Sequence, residues 1–285
     1  MLAADCELGE GIVWDTERGV VWFVDIKRHR LWHYDPQTGG SSAAEAPGQI
    51  GWTLPAEDGL LLCGLKDGLY TFDPAARAFT KLMAVPGEPA GNRLNDACTD
   101  PWGRVWFGSM DDAEEAKSGR FYVFDRGEIR PSGPAGISIT NGPAVSGSGD
   151  RIYFTDTLGK TIMVADLTRT GAHEARPFVD TGALFPDAYP DGPIVDAEDH
   201  VWTGLYLGAR VARFSPEGKL VATVTMPARD ITKMALGGKD LKTAYVTTAT
   251  KNMDDPAFRQ FPAAGHLLSF DSPVAGVAPT RVKLG

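Results

Sequence analysis

The sequence predicts an all-β fold, a six-bladed β-propeller with four-stranded antiparallel blades. Three observations predict it: a strand couplet that returns six times, a near-constant distance between its copies, and the lack of any long helical stripe. The first couplet is Val21-Trp22-Phe23-Val24-Asp25 followed by Leu31-Trp32-His33-Tyr34-Asp35. Leu60-Leu61-Leu62-Cys63-Gly64 with Gly68-Leu69-Tyr70-Thr71-Phe72-Asp73 is a weaker second copy. Val105-Trp106-Phe107-Gly108 with Arg120-Phe121-Tyr122-Val123-Phe124-Asp125 is the third, and Ile152-Tyr153-Phe154-Thr155-Asp156 with Thr161-Ile162-Met163-Val164-Ala165-Asp166 the fourth. Val201-Trp202-Thr203-Gly204 with Arg210-Val211-Ala212-Arg213-Phe214 follows, and Ala244-Tyr245-Val246-Thr247 with His266-Leu267-Leu268-Ser269-Phe270-Asp271 is a weaker last copy. Anchored on Trp22, Leu61, Trp106, Tyr153, Trp202 and Tyr245, the copies lie 39, 45, 47, 49 and 43 residues apart. Six units over 285 residues average 47.5 residues, the length of one four-stranded blade.

The units end in turns such as Asp35-Pro36-Gln37-Thr38-Gly39, Asp73-Pro74-Ala75 and Ser215-Pro216-Glu217-Gly218, which suit type I turns between antiparallel strands. Two packed sandwiches would also use many short strands but would not repeat six times at near-equal length. Residues 1–285 are therefore read as a single domain. The N-terminal segment is expected to pair with strands from the C-terminus, because ring closure removes exposed strand edges.

A hydrophobic fraction of 43% excludes disorder, and a net charge of −9 excludes the basic footprint that nucleic acid requires. A local Arg can still recruit a small anion, so the expected partner is a small molecule, with no nucleic acid and no membrane. Cys6, Cys63 and Cys98 are too few and too scattered for a disulfide framework or a zinc cluster and read as buried hydrophobes. The first residues carry acids where a signal peptide has a basic start, and no run of about 18 apolar residues occurs, so a soluble, cytoplasmic protein, monomeric by preference, is expected.

Propeller loops converge around one channel mouth, so unusual residues at one point of several repeats meet in space. Four stretches stand out just before the anchor strands: Leu8-Gly9-Glu10-Gly11, Asn92-Arg93-Leu94-Asn95-Asp96, Ile139-Thr140-Asn141-Gly142-Pro143 and Tyr189-Pro190-Asp191-Gly192-Pro193. Read in one register, they aim Glu10, Asn95, Asn141 and Asp191 at the axis at one level. Any single Asx-Gly pair would mark a turn. Four in four blades make an oxygen-only donor set, of the kind that hard divalent cations take with water completing the shell.

Through these stretches, together with the run from Asp100 to Met110 and Thr155-Asp156-Thr157-Leu158, the whole chain resembles the gluconolactonase/regucalcin (senescence marker protein) family of sugar lactonases. The pattern is most similar to bacterial aldonolactonases such as xylonolactonases. The resemblance implies one divalent metal cation held by Glu10, Asn141 and Asp191, with Arg93 and Asn95 contacting substrate. It also implies hydrolytic opening of an aldonolactone to the free aldonic acid, for which Asp191, with a carboxylate oxygen to spare, is the candidate proton acceptor. Ca²⁺, Zn²⁺, Mn²⁺ and Fe²⁺ all stay open, although an oxygen-rich set is mildly unfavourable to zinc. Two features depart from the family pattern. The segment before Glu10 is short, so closure is expected to be less complete, and Asp111-Asp112-Ala113-Glu114-Glu115 forms an acidic loop in the position of a lid, with a solvated turn as the alternative.

Other chemistries find little support. The only Gly-x-Ser-x-Gly-like run, Val145-Ser146-Gly147-Ser148-Gly149, sits in a hairpin context rather than the strand-to-helix elbow a serine nucleophile needs. His29, His33, His173, His200 and His266 show no metal-ligand spacing, and His200 is expected at the surface. Trp22, Trp106 and Trp202 read as blade packing, while Trp52, Tyr189 and Tyr206 are candidate walls of the mouth. Two alternatives remain: a related metal-dependent esterase or phosphotriesterase, and a non-enzymatic scaffold.

Overall fold

The computed structural model describes residues 2–285. Its strands form six antiparallel sheets in chain order. Blade 1 holds Gly9–Asp15, Val20–Asp25, Arg30–Tyr34 and Ser41–Glu45, and blade 2 holds Ile50–Pro55, Leu61–Leu65, Gly68–Asp73 and Ala78–Met83. Blade 3 holds Asn92–Thr99, Val105–Asp111, Gly119–Asp125 and Glu128–Ile137. Blade 4 holds Thr140–Val145, Arg151–Asp156, Thr161–Thr168 and Arg176–Asp180, with a two-residue strand Gly171–Ala172 beside the third. Blade 5 holds Tyr189–Val195, Val201–Tyr206, Arg210–Phe214 and Leu220–Thr225, and blade 6 holds Asp230–Gly237, Thr243–Ala249 and Leu268–Asp271. The first strand of each blade touches the first strand of the next, and that of blade 6 returns to blade 1, which makes the ring of a six-bladed propeller.

The repeated aromatics explain why these segments stay together. The inner two strands of each blade are almost wholly buried, because both of their faces meet neighbouring blades, whereas outer strands such as Leu220–Thr225 are exposed along most of their length. Trp22, Trp106 and Trp202 are buried as packing anchors. Among the described residues, helix is confined to Thr181–Leu184 and Asp255–Gln260, each capped by an Asp side chain, and a single 3-10 turn at Glu57–Gly59, and none is long and apolar enough to cross a membrane.

Blade 6 has three strands of its own. Leu2 supplies its outer edge by pairing antiparallel with Leu267 through two backbone hydrogen bonds of 2.9 Å, and Leu8 bridges Ala249 beside the inner strands. Residues 2–8 thus join the ring through single bridges rather than as a full fourth strand.

Trp52 corrects one expectation. It is fully buried, 5.8 Å from the Phe107 ring, and does not line the mouth. Gly51 backs so closely onto the Leu94 carbonyl that a Cβ there would sit 2.3 Å from the oxygen, and the indole turns instead into the blade interior over Gly64. A Cβ on Gly64 would lie 2.1 Å from that ring. Gly64→Ala is therefore expected to cost about 1–3 kcal/mol through overpacking, read as a lower urea midpoint at unchanged slope.

Two further features position the site. In all six blades the inner strand carries a bulge: at Gly51 in blade 2, and with two residues opposing one at Gly11-Ile12, Asn95-Asp96, Gly142-Pro143, Asp191-Gly192 and Thr232-Lys233. At the opposite end of the channel the chain from Ala275 to Lys283 crosses the lower face. It bonds to Ala197, Leu241, Pro55 and Gly103 in turn, while Arg281 pairs with Asp15 and Glu17.

Candidate functional site

Glu10, Arg93, Asn95, Asn141 and Asp191 all lie on inner strands at the upper half of the channel, and all five are buried. They occupy the strands themselves, not the loops before them, and their register is not uniform. Glu10 and Asn141 are the last ladder-paired residues before a bulge, whereas Asn95 and Asp191 are the first residues within one. A bulge re-aims side chains that a regular pleat would send elsewhere, so the one-residue offset still lets them converge.

The contacts tie these groups together. Asn95 Nδ2 donates to the Thr140 carbonyl at 2.6 Å and to Asn141 Oδ1 at 3.0 Å, and its Oδ1 accepts from Arg93 Nη1 at 2.5 Å. Asn141 Nδ2 donates to Thr157 Oγ1 at 2.9 Å, and that hydroxyl donates to the Pro190 carbonyl, one residue before Asp191. Glu10 and Asp191 each accept the N–H of the following glycine. Burial is the main force pushing both carboxyls well above the usual carboxylate range. Asp96 repels Glu10 further, and Glu10 and Asp96 both repel Asp191.

Two carboxyl groups lie buried close together, each accepting one backbone amide and, among the described residues, hydrogen-bonded to no cationic side chain. A hard divalent cation fits this donor chemistry, with Glu10, Asp191 and Asn141 supplying oxygen. Among the described residues no group of three or more His, Cys, Asp or Glu is placed to hold a metal, so any such centre here rests on two carboxylates and a carboxamide.

The acidic loop is not a solvated turn. Asp112 reaches Lys27 and Lys66 at 2.9 Å, Gln49 at 3.1 Å and Arg93 at 3.2 Å, and Glu114 pairs with Lys251, so the loop is pinned across the mouth to groups from blades 1, 2, 3 and 6. Burial raises the Asp112 carboxyl, but hydrogen bonds from Lys66 and Lys27 outweigh it and hold the group well below the usual range. These contacts are fully present above the ordinary carboxylate pKa and are lost only in stronger acid.

Tyr189 and Tyr206 pair across neighbouring strands at the same end and are half-buried, with Lys160 Nζ 4.3 Å from the Tyr189 ring centre and the Tyr206 hydroxyl donating to the Lys251 carbonyl. Ser146 and Ser148 lie in or beside a hairpin turn and bond Asp150. His200 is partly exposed at the surface, with Nδ1 against the Glu198 carbonyl.

Sequence reasoning missed Thr157, Asp96 and Lys233. Asp96 stood next to a recognised Asn, but Lys233 has no Gly or Asn beside it, and only the bulge alignment reveals it. A cavity of about 270 Å³ lies below these groups, at the other end of the channel, walled by Trp14, Pro143, Pro193, Leu236 and Val277. Its wall is mainly apolar and includes Lys233.

Comparison with known proteins follows the same lines. Residues 8–250 match the model of the SMP-30/Gluconolactonase/LRE-like region. A pentonolactonase of Haloferax volcanii is 31% identical over 290 residues, covering 98% of this chain and 97% of its own. A 6-deoxy-6-sulfogluconolactonase of Pseudomonas putida is 29% identical over 272 residues, covering 95% and 93%. A calcium-binding regucalcin from Agrobacterium tumefaciens superposes with a TM-score of 0.94 at 27% identity, covering 99% and 97%. On the matched region and the full-length relatives, the chain belongs to the SMP-30/gluconolactonase/LRE-like family.

Proposed function

We propose that this protein is a lactonase that opens a sugar lactone to the free aldonic acid with the help of one divalent cation held by Glu10, Asn141 and Asp191. The observation that carries this reading is the buried pair Glu10 and Asp191 beside Asn141, two carboxyl groups with, among the described residues, no cationic side chain bonded to either. Relatives named as lactonases along the whole chain support the reaction class.

When bound, the cation supplies Lewis acidity toward the lactone carbonyl and lowers the pKa of water. The rest falls to side chains. Asp191 Oδ1 is engaged by the Gly192 amide, which leaves its other oxygen to take the proton of the attacking water. Arg93, held by Asn95 and Asp112, orients substrate hydroxyls and offsets the negative charge that develops on the carbonyl oxygen. Asn95 links that guanidinium to Asn141, and Tyr206 walls the mouth beside Asp191.

The test is a panel of pentono- and hexonolactones offered to chelated protein reloaded with Ca²⁺, Zn²⁺, Mn²⁺ or Fe²⁺ singly. Acid release that depends on reloading is the expected result; undiminished turnover after chelation sinks the reading. Asp112→Ala frees Arg93 and leaves Lys27 and Lys66 to repel each other. It is expected to raise KM about tenfold with a smaller change in kcat, because the loss falls on substrate positioning.

A further inference from the structure

Just below the acidic pair, the channel is spanned by an ion pair between residues 137 apart in sequence: Lys233 of blade 6 donates to Asp96 Oδ1 of blade 3. Lys233 is 4% exposed and Asp96 not at all. The ammonium also donates to the Ala97 carbonyl at 3.3 Å. Asp96 in turn accepts the Ala97 N–H at 2.7 Å and the Gly142 N–H at 2.9 Å. A Cβ on Gly192 would lie 2.7 Å from Lys233 Cγ, so the lysine stem rests directly on that glycine. The pair therefore touches the residue that follows Asn141 and the residue that follows Asp191.

Stability does not account for such a pair. Two apolar side chains of similar volume would fill the channel at no greater cost, since a buried ion pair seldom repays its desolvation. Asp96 also adds a third carboxylate to a place where Glu10 and Asp191 already repel each other. Taken with the reading of the site as a cation site, on which this inference rests, the arrangement has a purpose. We propose that Lys233 and Asp96 are positioning residues. They brace the bulges next to Asn141 and Asp191 so that both converge on Glu10, and the ammonium cancels the third negative charge, so the site presents two charges to a divalent ion.

The experiment compares the full-length wild type with Asp96→Asn/Lys233→Met, Lys233→Met and Lys233→Arg after chelation. Ca²⁺ alone is titrated calorimetrically, Tb³⁺ alone by luminescence, and lactone turnover is measured over a range of Ca²⁺. The double variant removes both charges together and is expected to fold. Its Ca²⁺ affinity should fall about 10- to 100-fold, as when the groups that orient metal ligands are lost, and its turnover should recover in part as Ca²⁺ is raised. Lys233→Met leaves Asp96 uncompensated and should shift preference from Ca²⁺ toward Tb³⁺ by about tenfold or more, while Lys233→Arg should stay near wild type. A double variant that binds Ca²⁺ and turns over like the wild type overturns the proposal. So does a double variant that fails to fold, because the pair would then serve the fold and not the cation. Wild-type protein that binds none of these ions overturns the cation reading itself, and this inference with it.

Discussion

Asp191→Ala is expected to lower kcat/KM for lactone hydrolysis at least about a thousandfold, roughly 4 kcal/mol of transition-state stabilisation, and to abolish measurable cation binding. The size follows from the two roles that meet on one side chain. On the proposed reading, Asp191 is with Glu10 one of the two carboxylates that hold the cation, and its second oxygen accepts a proton from water. Asp191→Asn separates the roles. It keeps an oxygen donor and removes the charge, so cation affinity should weaken while turnover fails almost as badly as in the alanine variant. The check is acid release under saturating Ca²⁺ or Mn²⁺, alongside calorimetric titration of the same preparations. An alanine variant that retains wild-type turnover would move the chemistry away from this residue.

The largest effect on stability is expected at Asp100, on the turn after the inner strand of blade 3. Its buried carboxylate accepts from Arg104 Nε at 2.6 Å, Trp106 Nε1 at 2.9 Å and the backbone N–H groups of Trp102 and Arg104. Arg104 is itself buried, its guanidinium 4.7 Å from the Trp102 ring centre and bonded to the carbonyls of Thr168 and Arg169. Asp100→Ala removes one partner and leaves a desolvated cation and an indole N–H without an acceptor. A loss of about 3–5 kcal/mol is expected, measured as a lower midpoint in urea unfolding. Asp100→Asn keeps acceptors in place and should cost less. Blade 5 uses the same device, with Asp196 accepting from Trp202 Nε1 and Arg213 Nε at 2.8 Å, so Asp196→Ala serves as an independent copy of the test.

The six-fold count was legible because each blade needs the same anchor. Trp22, Trp106, Tyr153 and Trp202 mark strands that are buried on both faces, and burial is what hydrophobic sequence reports. Glu10, Asn95, Asn141 and Asp191 were legible for the opposite reason, as polar residues recurring where apolar ones would otherwise point inward. What the pattern could not carry was register. Assuming a uniform pleat placed all four at one level, whereas each inner strand spends an extra residue on a bulge, and Asn95 and Asp191 fall inside it. Lys233 was hidden for the same reason, since a Lys after Thr232 reads as solvent-facing until the bulge turns it inward. Trp52 was misplaced because nothing local records how near blade 3 approaches Gly51. The acidic run at Asp111 to Glu115 held too little information to choose between strap and turn; its partners Lys27, Lys66 and Lys251 lie far away in sequence.

The chain between Ala275 and Lys283 crosses the lower end of the channel, and the Lys233–Asp96 pair spans it just below the acidic pair. On the proposed reading, a lactone reaches the acidic pair from above and the acid formed there leaves the same way. Substrate and product then share the approach that Asp112 and Glu114 border. The aldonate should therefore inhibit competitively against the lactone, and turnover should slow as product accumulates, well before substrate is exhausted.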